Sequence, residues 1–203
     1  MTDRLDQLAE AARPLLSRVD SVLSGIGAPE GHDVWPELRR VRLLPGDAVR
    51  AVCDLSPDAI RAAAPELRAE ARTYADVADS LPLPGEWVGE AAEAYEEARR
   101  RTAEHLNGGP ESLARRMEMT ADLADALTEW MTRARRDLAL VLAEVITSAE
   151  ALTLTAGTGS PPEEQARAAA DVGALLLRTV ADAYDRGEDL LEGSTALQNP
   201  LPA

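Results

Sequence analysis

A chain of 203 residues with 45% hydrophobic content is long enough to bury a core. Aromatic residues make up only 3% and Phe is absent, so that core has to be built from Leu, Val and Ala, which favours close-packed helices over a sheet sandwich. The formal charge of −15 argues against nucleic acid and anionic membrane surfaces as partners, because phosphate affinity comes from clustered cations, and the single cysteine, Cys53, excludes an intrachain disulfide or a cysteine-based zinc cluster.

The first residues lead directly into an amphipathic pattern with no continuous apolar core, so no cleavable signal peptide is expected. No apolar run approaches the ~18 residues of a membrane span, and membrane insertion is not expected. Over residues 2–24, Leu5, Leu8, Ala12, Leu15, Val19 and Val22 recur in steps of three and four, which predicts a helix with an irregularity at Pro14. Residues 25–31 end it. Trp35-Pro36 and Pro45-Gly46 divide residues 34–55 into one or two brief helices.

Ser56-Pro57-Asp58 reads as a helix start, with a hydroxyl cap, a first-turn proline and an acid facing the dipole. Ile60, Ala64, Leu67, Ala71, Tyr74, Ala78 and Leu81 then form one seam. Pro82-Leu83-Pro84-Gly85 cannot be helix interior, and Trp87-Val88-Gly89 follows it before a new helix over residues 89–106. Asn107-Gly108-Gly109-Pro110 breaks that helix, as a reversal or as a kink.

The longest seam runs from Leu113 to Leu152 and predicts one helix over residues 111–155, on the order of 65 Å long at ~1.5 Å per residue. Trp130 and Leu142 widen its apolar stripe, and Leu127, Trp130, Met131 and Leu138 are the candidates for a partner-helix seam. After a Gly157-Thr158-Gly159 link, Ser160-Pro161-Pro162-Glu163 carries a capping-box pattern, and Ala169, Gly173, Leu176, Val180, Ala183 and Leu190 mark the buried side of a last helix. The expected fold is an all-α, elongated antiparallel helical bundle: a helical extension over 1–55, a core over 56–156, a packing helix over 157–192 and a tail over 193–203.

Catalytic chemistry has no constellation to rest on. His32 and His105 stand apart from other ligand-type residues and read as surface or helix-end residues, so no metal, cofactor or enzyme activity is expected. Cys53 reads as a small buried or half-buried residue. All 21 cationic residues are Arg, the bias of a high-GC coding sequence, and the clusters Arg99-Arg100-Arg101, Arg115-Arg116 and Arg133/Arg135/Arg136 read as solvated helix faces. The corner differs, because a glycine there allows a tight turn and close approach to a neighbouring helix. The indole can seal the end of the hairpin, or seal it and also project into a partner's groove.

With its helix, its corner Trp87-Val88-Gly89 and its restart Ala91-Ala92-Glu93-Ala94-Tyr95, about half of the chain resembles the WXG family of helical-hairpin proteins handled by type VII secretion systems. Tyr184-Asp185-Arg186-Gly187-Glu188 is similar to the family's C-terminal export element, with Tyr184 and Glu188 one helical turn apart, although Gly187 weakens a helix there. The resemblance implies a non-enzymatic binding protein, recognised through Trp87, Gly89, Tyr184 and Glu188. Its implied partners are a secretion ATPase, another WXG-like helical protein or a second copy of itself. It also implies a cytoplasmic protein that is later secreted or displayed at the cell surface. The chain is longer than typical members, and a cytoplasmic scaffold or adaptor binding partner helices is the alternative.

Overall fold

The computed structural model describes residues 3–156 and 159–194, and over these it is all-α with no strand. In chain order the helices are α1 (Arg4–Gly25), α2 (Val34–Val41), α3 (Pro45–Cys53), α4 (Pro57–Arg61), α5 (Ala63–Ser80), α6 (Glu90–Asn107), α7 (Leu113–Ile146), α8 (Ala149–Thr155) and α9 (Pro162–Gly193). The expected link at Gly157-Thr158 and the tail beyond Ser194 lie outside the described residues.

Over the described residues the chain forms two compact units: one from residues 1–56 and 129–189, hereafter the discontinuous unit, and one from residues 57–128, which the described residues from Leu190 onward join. The first boundary falls between Ser56 and Pro57. The second falls inside α7, because Ala134, Leu138, Leu142 and Val145 from its later half join the same core as α1, α3 and α9.

In the discontinuous unit, Asp3 caps α1 with a reciprocal box: its carboxylate accepts from the Leu5 and Asp6 amides, at 2.8 and 3.1 Å, and Asp6 accepts from the Asp3 amide. The helix then runs unbroken through Pro14, which points to solvent, so the expected irregularity does not interrupt it. The start of α3 has no capping side chain of its own. Asp20 of α1 supplies one, accepting from the Gly46 amide at 3.0 Å, and a Cβ on Gly46 would collide with that carboxylate at 2.3 Å. Burial pushes the Asp20 carboxyl pKa up, against the opposing effect of this hydrogen bond.

Two expected helices are divided. Pro65 lacks an amide for the Arg61 carbonyl and its ring crowds that group, so the helix started at Pro57 stops at Arg61 and resumes at Ala63. The predicted rod over 111–155 is two helices bent by 64°. Ser148 causes the break by taking extended angles and accepting from the Ala151 amide at 3.1 Å, which makes it the cap of α8. Leu152, placed in the seam by a straight helix, is therefore 68% exposed.

The units differ in what they bury. The large side chains that are almost wholly enclosed, among them Val19, Val49, Leu138, Leu142, Leu176 and Leu177, all belong to the discontinuous unit. Within 57–128 every buried apolar side chain is an alanine: Ala64, Ala71 and Ala78 on α5, Ala92 on α6, and Ala114, Ala121 and Ala124 on α7. Ile60 and Leu67 only flank that core. No single helix among the described residues is long and apolar enough to cross a membrane.

Candidate recognition site at the helical corner

The corner is built by backbone chemistry. Pro82 and Pro84 have no amide to donate, and Leu81 ahead of Pro82 takes the extended angles that a following proline demands (φ −59°, ψ 124°), which ends α5. Gly85 turns the chain at φ +64°, and the Trp87 amide closes back onto the Pro84 carbonyl at 3.3 Å. Gly89 sits at φ +96° and ψ −176°, a region essentially restricted to glycine, and its carbonyl accepts from the Ala92 and Glu93 amides to open α6. A Cβ on Gly89 would meet nothing within 4 Å, so the glycine serves the backbone angle and not the expected close approach to a neighbouring helix.

Trp87 lies in this loop, outside any helix, with its indole set edge-on against Tyr95 at a centroid distance of 5.9 Å and 62° between planes. The Tyr95 hydroxyl donates to the Pro82 carbonyl at 2.8 Å, tying the first turns of α6 to the end of α5. Trp87 is nonetheless 65% exposed, and Leu83 and Val88 are exposed at 71% and 92%. The indole therefore does not plug the hairpin end. Tyr95, which enters the sequence pattern only as the end of the helix restart, is the residue that supports the indole.

Tyr184 and Glu188 are both exposed on α9, which continues through Gly187 without a break. Gly187 is buried under Trp130: a Cβ there would lie 2.9–3.2 Å from three atoms of the indole, and Trp130 Nε1 donates to the Ala183 carbonyl at 2.7 Å. Close packing thus accounts for the residue that weakens the local helix propensity. Gly187→Ala gains about 1 kcal/mol of propensity but forces a rigid ring aside, at about 1–3 kcal/mol. The expected result is a lower urea midpoint at unchanged m-value; an unchanged or higher midpoint contradicts the close fit.

Of the candidate partner seam, Leu127 and Met131 are half-buried, whereas Leu138 is 1% exposed and Trp130 is engaged by α9. The chain's own helices already cover Leu138, which cannot meet a partner without opening that core, while Trp130 is half-buried like Leu127 and Met131 and is tied to α9 through its indole.

The arginines divide in the same way. Arg99, Arg100 and Arg101 pair with Glu96 and Glu97, Arg115 with Glu118, and Arg133 with Glu129, as solvated faces do. Arg135 departs from that expectation: it is 8% exposed and fully engaged. Its Nε and Nη2 donate to Asp3 and Asp6 at 2.8 Å, and Nη1 reaches the carbonyls of Val52, Cys53 and Leu55 at the end of α3. Burial opposes its charge, but the hydrogen bonds to the two aspartates outweigh that and raise its pKa.

His32 joins two elements: Nδ1 accepts from the Val34 amide at 3.1 Å where α2 begins, and Nε2 meets Asp171 of α9 at 3.0 Å. Cys53 is half-buried, and burial pushes its thiol up to about 11, so it holds its proton at neutral pH. Among the described residues no three His, Cys, Asp or Glu side chains gather to hold a metal ion. What the corner offers is apolar surface on a constrained loop, in a stretch of chain whose Glu86, Glu90 and Glu93 are exposed. Comparison with protein-family models, with curated proteins and with solved structures gives no match.

Proposed function

We propose that this chain is a non-enzymatic protein-binding protein of the WXG type, a substrate of type VII secretion or a protein associated with it. In this reading Trp87 and Gly89 form one recognition element, Tyr184 and Glu188 the other, and a secretion ATPase or a WXG-like helical protein reads them. The chain is then cytoplasmic before export and secreted or surface-displayed afterwards. The observation that carries the reading is an indole left 65% exposed on a loop whose every backbone turn is specified. A side chain with no part in the core is free to be buried by something else.

The test is export from a type VII-competent host. Trp87→Ala and Tyr184→Ala are expected to abolish release while the purified proteins keep their helical circular dichroism, because neither side chain is buried. Release unchanged in both variants refutes the proposal. The half-buried Leu127 and Met131 on α7 favour the second reading, a cytosolic scaffold for partner helices. Retention of the wild-type chain in the cytosol of that host supports it.

A further inference from the structure

The partner's chemistry can be read from what surrounds the indole. Within 57–128, the large apolar side chains with the greatest exposure are Val77, Leu83, Trp87 and Val88, and all four fall between the last turn of α5 and the first of α6. Their charge environment is one-sided. From Thr73 to Ala98 the sequence holds seven carboxylates and no cationic residue. Glu96 and Glu97 are answered by Arg99, Arg100 and Arg101. Among the described residues, Asp76, Asp79, Glu86, Glu90 and Glu93 are paired with no arginine; Glu86 directly precedes Trp87, and Glu90 and Glu93 follow it at the start of α6.

Resting on the protein-binding reading above, we infer that the corner docks onto a protein surface that pairs an apolar cleft for Trp87 with a rim of arginine or lysine. A second copy of this chain brings the same uncompensated carboxylates to the contact, and like charges in juxtaposition disfavour it. An anionic bilayer or a nucleic acid is repelled for the same reason. A cationic rim gains in two ways: it answers carboxylates that have no intrachain counterion, and it steers the encounter before the indole is buried. The apolar cluster then supplies the anchor, as tryptophan does at the centre of many interfaces.

The probe is a designed amphipathic helical peptide, leucine on one face and arginine on the other, labelled for fluorescence anisotropy against the full chain; its counterpart carries glutamate in place of arginine. The arginine peptide is expected to bind with an affinity that falls about tenfold from low to high salt, and the glutamate peptide not to bind. Trp87→Ala and the triple variant Glu86→Gln, Glu90→Gln, Glu93→Gln are each expected to weaken binding about tenfold, the size of a good anchor or a small charge cluster. Glu163→Gln with Glu164→Gln, acids on α9, is expected to leave it within about twofold, which separates site binding from general attraction to an acidic protein. Equal binding by Trp87→Ala, equal weakening by the α9 pair, or concentration-dependent dimerisation lost in Trp87→Ala overturns the inference. In the export assay, release lost by Trp87→Ala but unaffected by the triple glutamine variant keeps the functional reading and removes this one.

Discussion

Arg135→Ala is expected to lower the stability of the discontinuous unit by about 3 kcal/mol, near the lower end of what breaking a buried ion pair costs. The loss has two parts. Three carbonyls at the end of α3 lose the guanidinium that reaches Val52, Cys53 and Leu55, and two carboxylates lose their counterion. The carboxylate part is moderated because Asp3 and Asp6 keep contact with water. It also carries a pH signature. The hydrogen bond from Arg135 holds the Asp3 carboxyl below its ordinary value of 3.8, against the opposing effect of its partial burial. A depressed folded-state pKa contributes stability that is complete above the unfolded value and is lost as pH falls through the folded one. The gap between wild type and Arg135→Ala in urea unfolding therefore narrows from about pH 7 to about pH 3. Asp20 acts with the opposite sign. Its raised carboxyl pKa favours the fold below the unfolded value, and that contribution is lost as pH rises through the folded one. Both variants retain Asp20, so its effect cancels in the comparison. A gap that does not change with pH shows that Arg135 acts only through the carbonyls.

The second large effect comes from the difference between the two cores. Leu142 is 0% exposed, so Leu142→Ala removes apolar contacts and leaves a cavity, with an expected cost of about 3 kcal/mol. The same truncation at Leu67, which only flanks an alanine core, is expected to cost about 1 kcal/mol. Native-state hydrogen exchange reads the same asymmetry without mutation. Amides in the middle of α5 and α6 should exchange through openings of lower free energy than those in the middle of α9. Equal protection in α5, α6 and α9 contradicts it.

Periodicity made the helices legible and missed what divides or joins them. The three-four rhythm placed α1 and α9 within a few residues, because each buries one face along its length, whereas α6, with Ala92 alone buried, is marked by the breakers at its two ends. Ser148 and Pro65 were visible in the same text, but a seam that continues past a cap or a proline does not show that the helix stops there. Arg135 lay beyond reach of any local rule: its partners are Asp3 and Asp6 near the start of the chain and the carbonyls of residues 52–55, and its own neighbours in sequence suggested a wet surface. The corner was the most legible feature, since prolines and glycines write backbone angles directly into the sequence. What the text could not give was whether the indole faced inward or outward, because that depends on how much room alanine-lined helices leave at their ends. Gly187 was read as a defect and proves to be a seat for Trp130, an interaction made across 57 residues of chain.

The interrupted path of the discontinuous unit bears on how the protein is made. Residues 1–56 leave the ribosome ahead of residues 129–189, yet Val19, Val22 and Val49 share one core with side chains from that later segment. At ordinary rates of translation the nascent α1–α3 segment waits on the order of ten seconds for them. In that interval the intervening α5–α6 hairpin, whose contacts are short in sequence, can close on its own although its core is the thinner of the two. The sturdier core can thus close only after α9 has emerged, and until then its valines are open to chaperones.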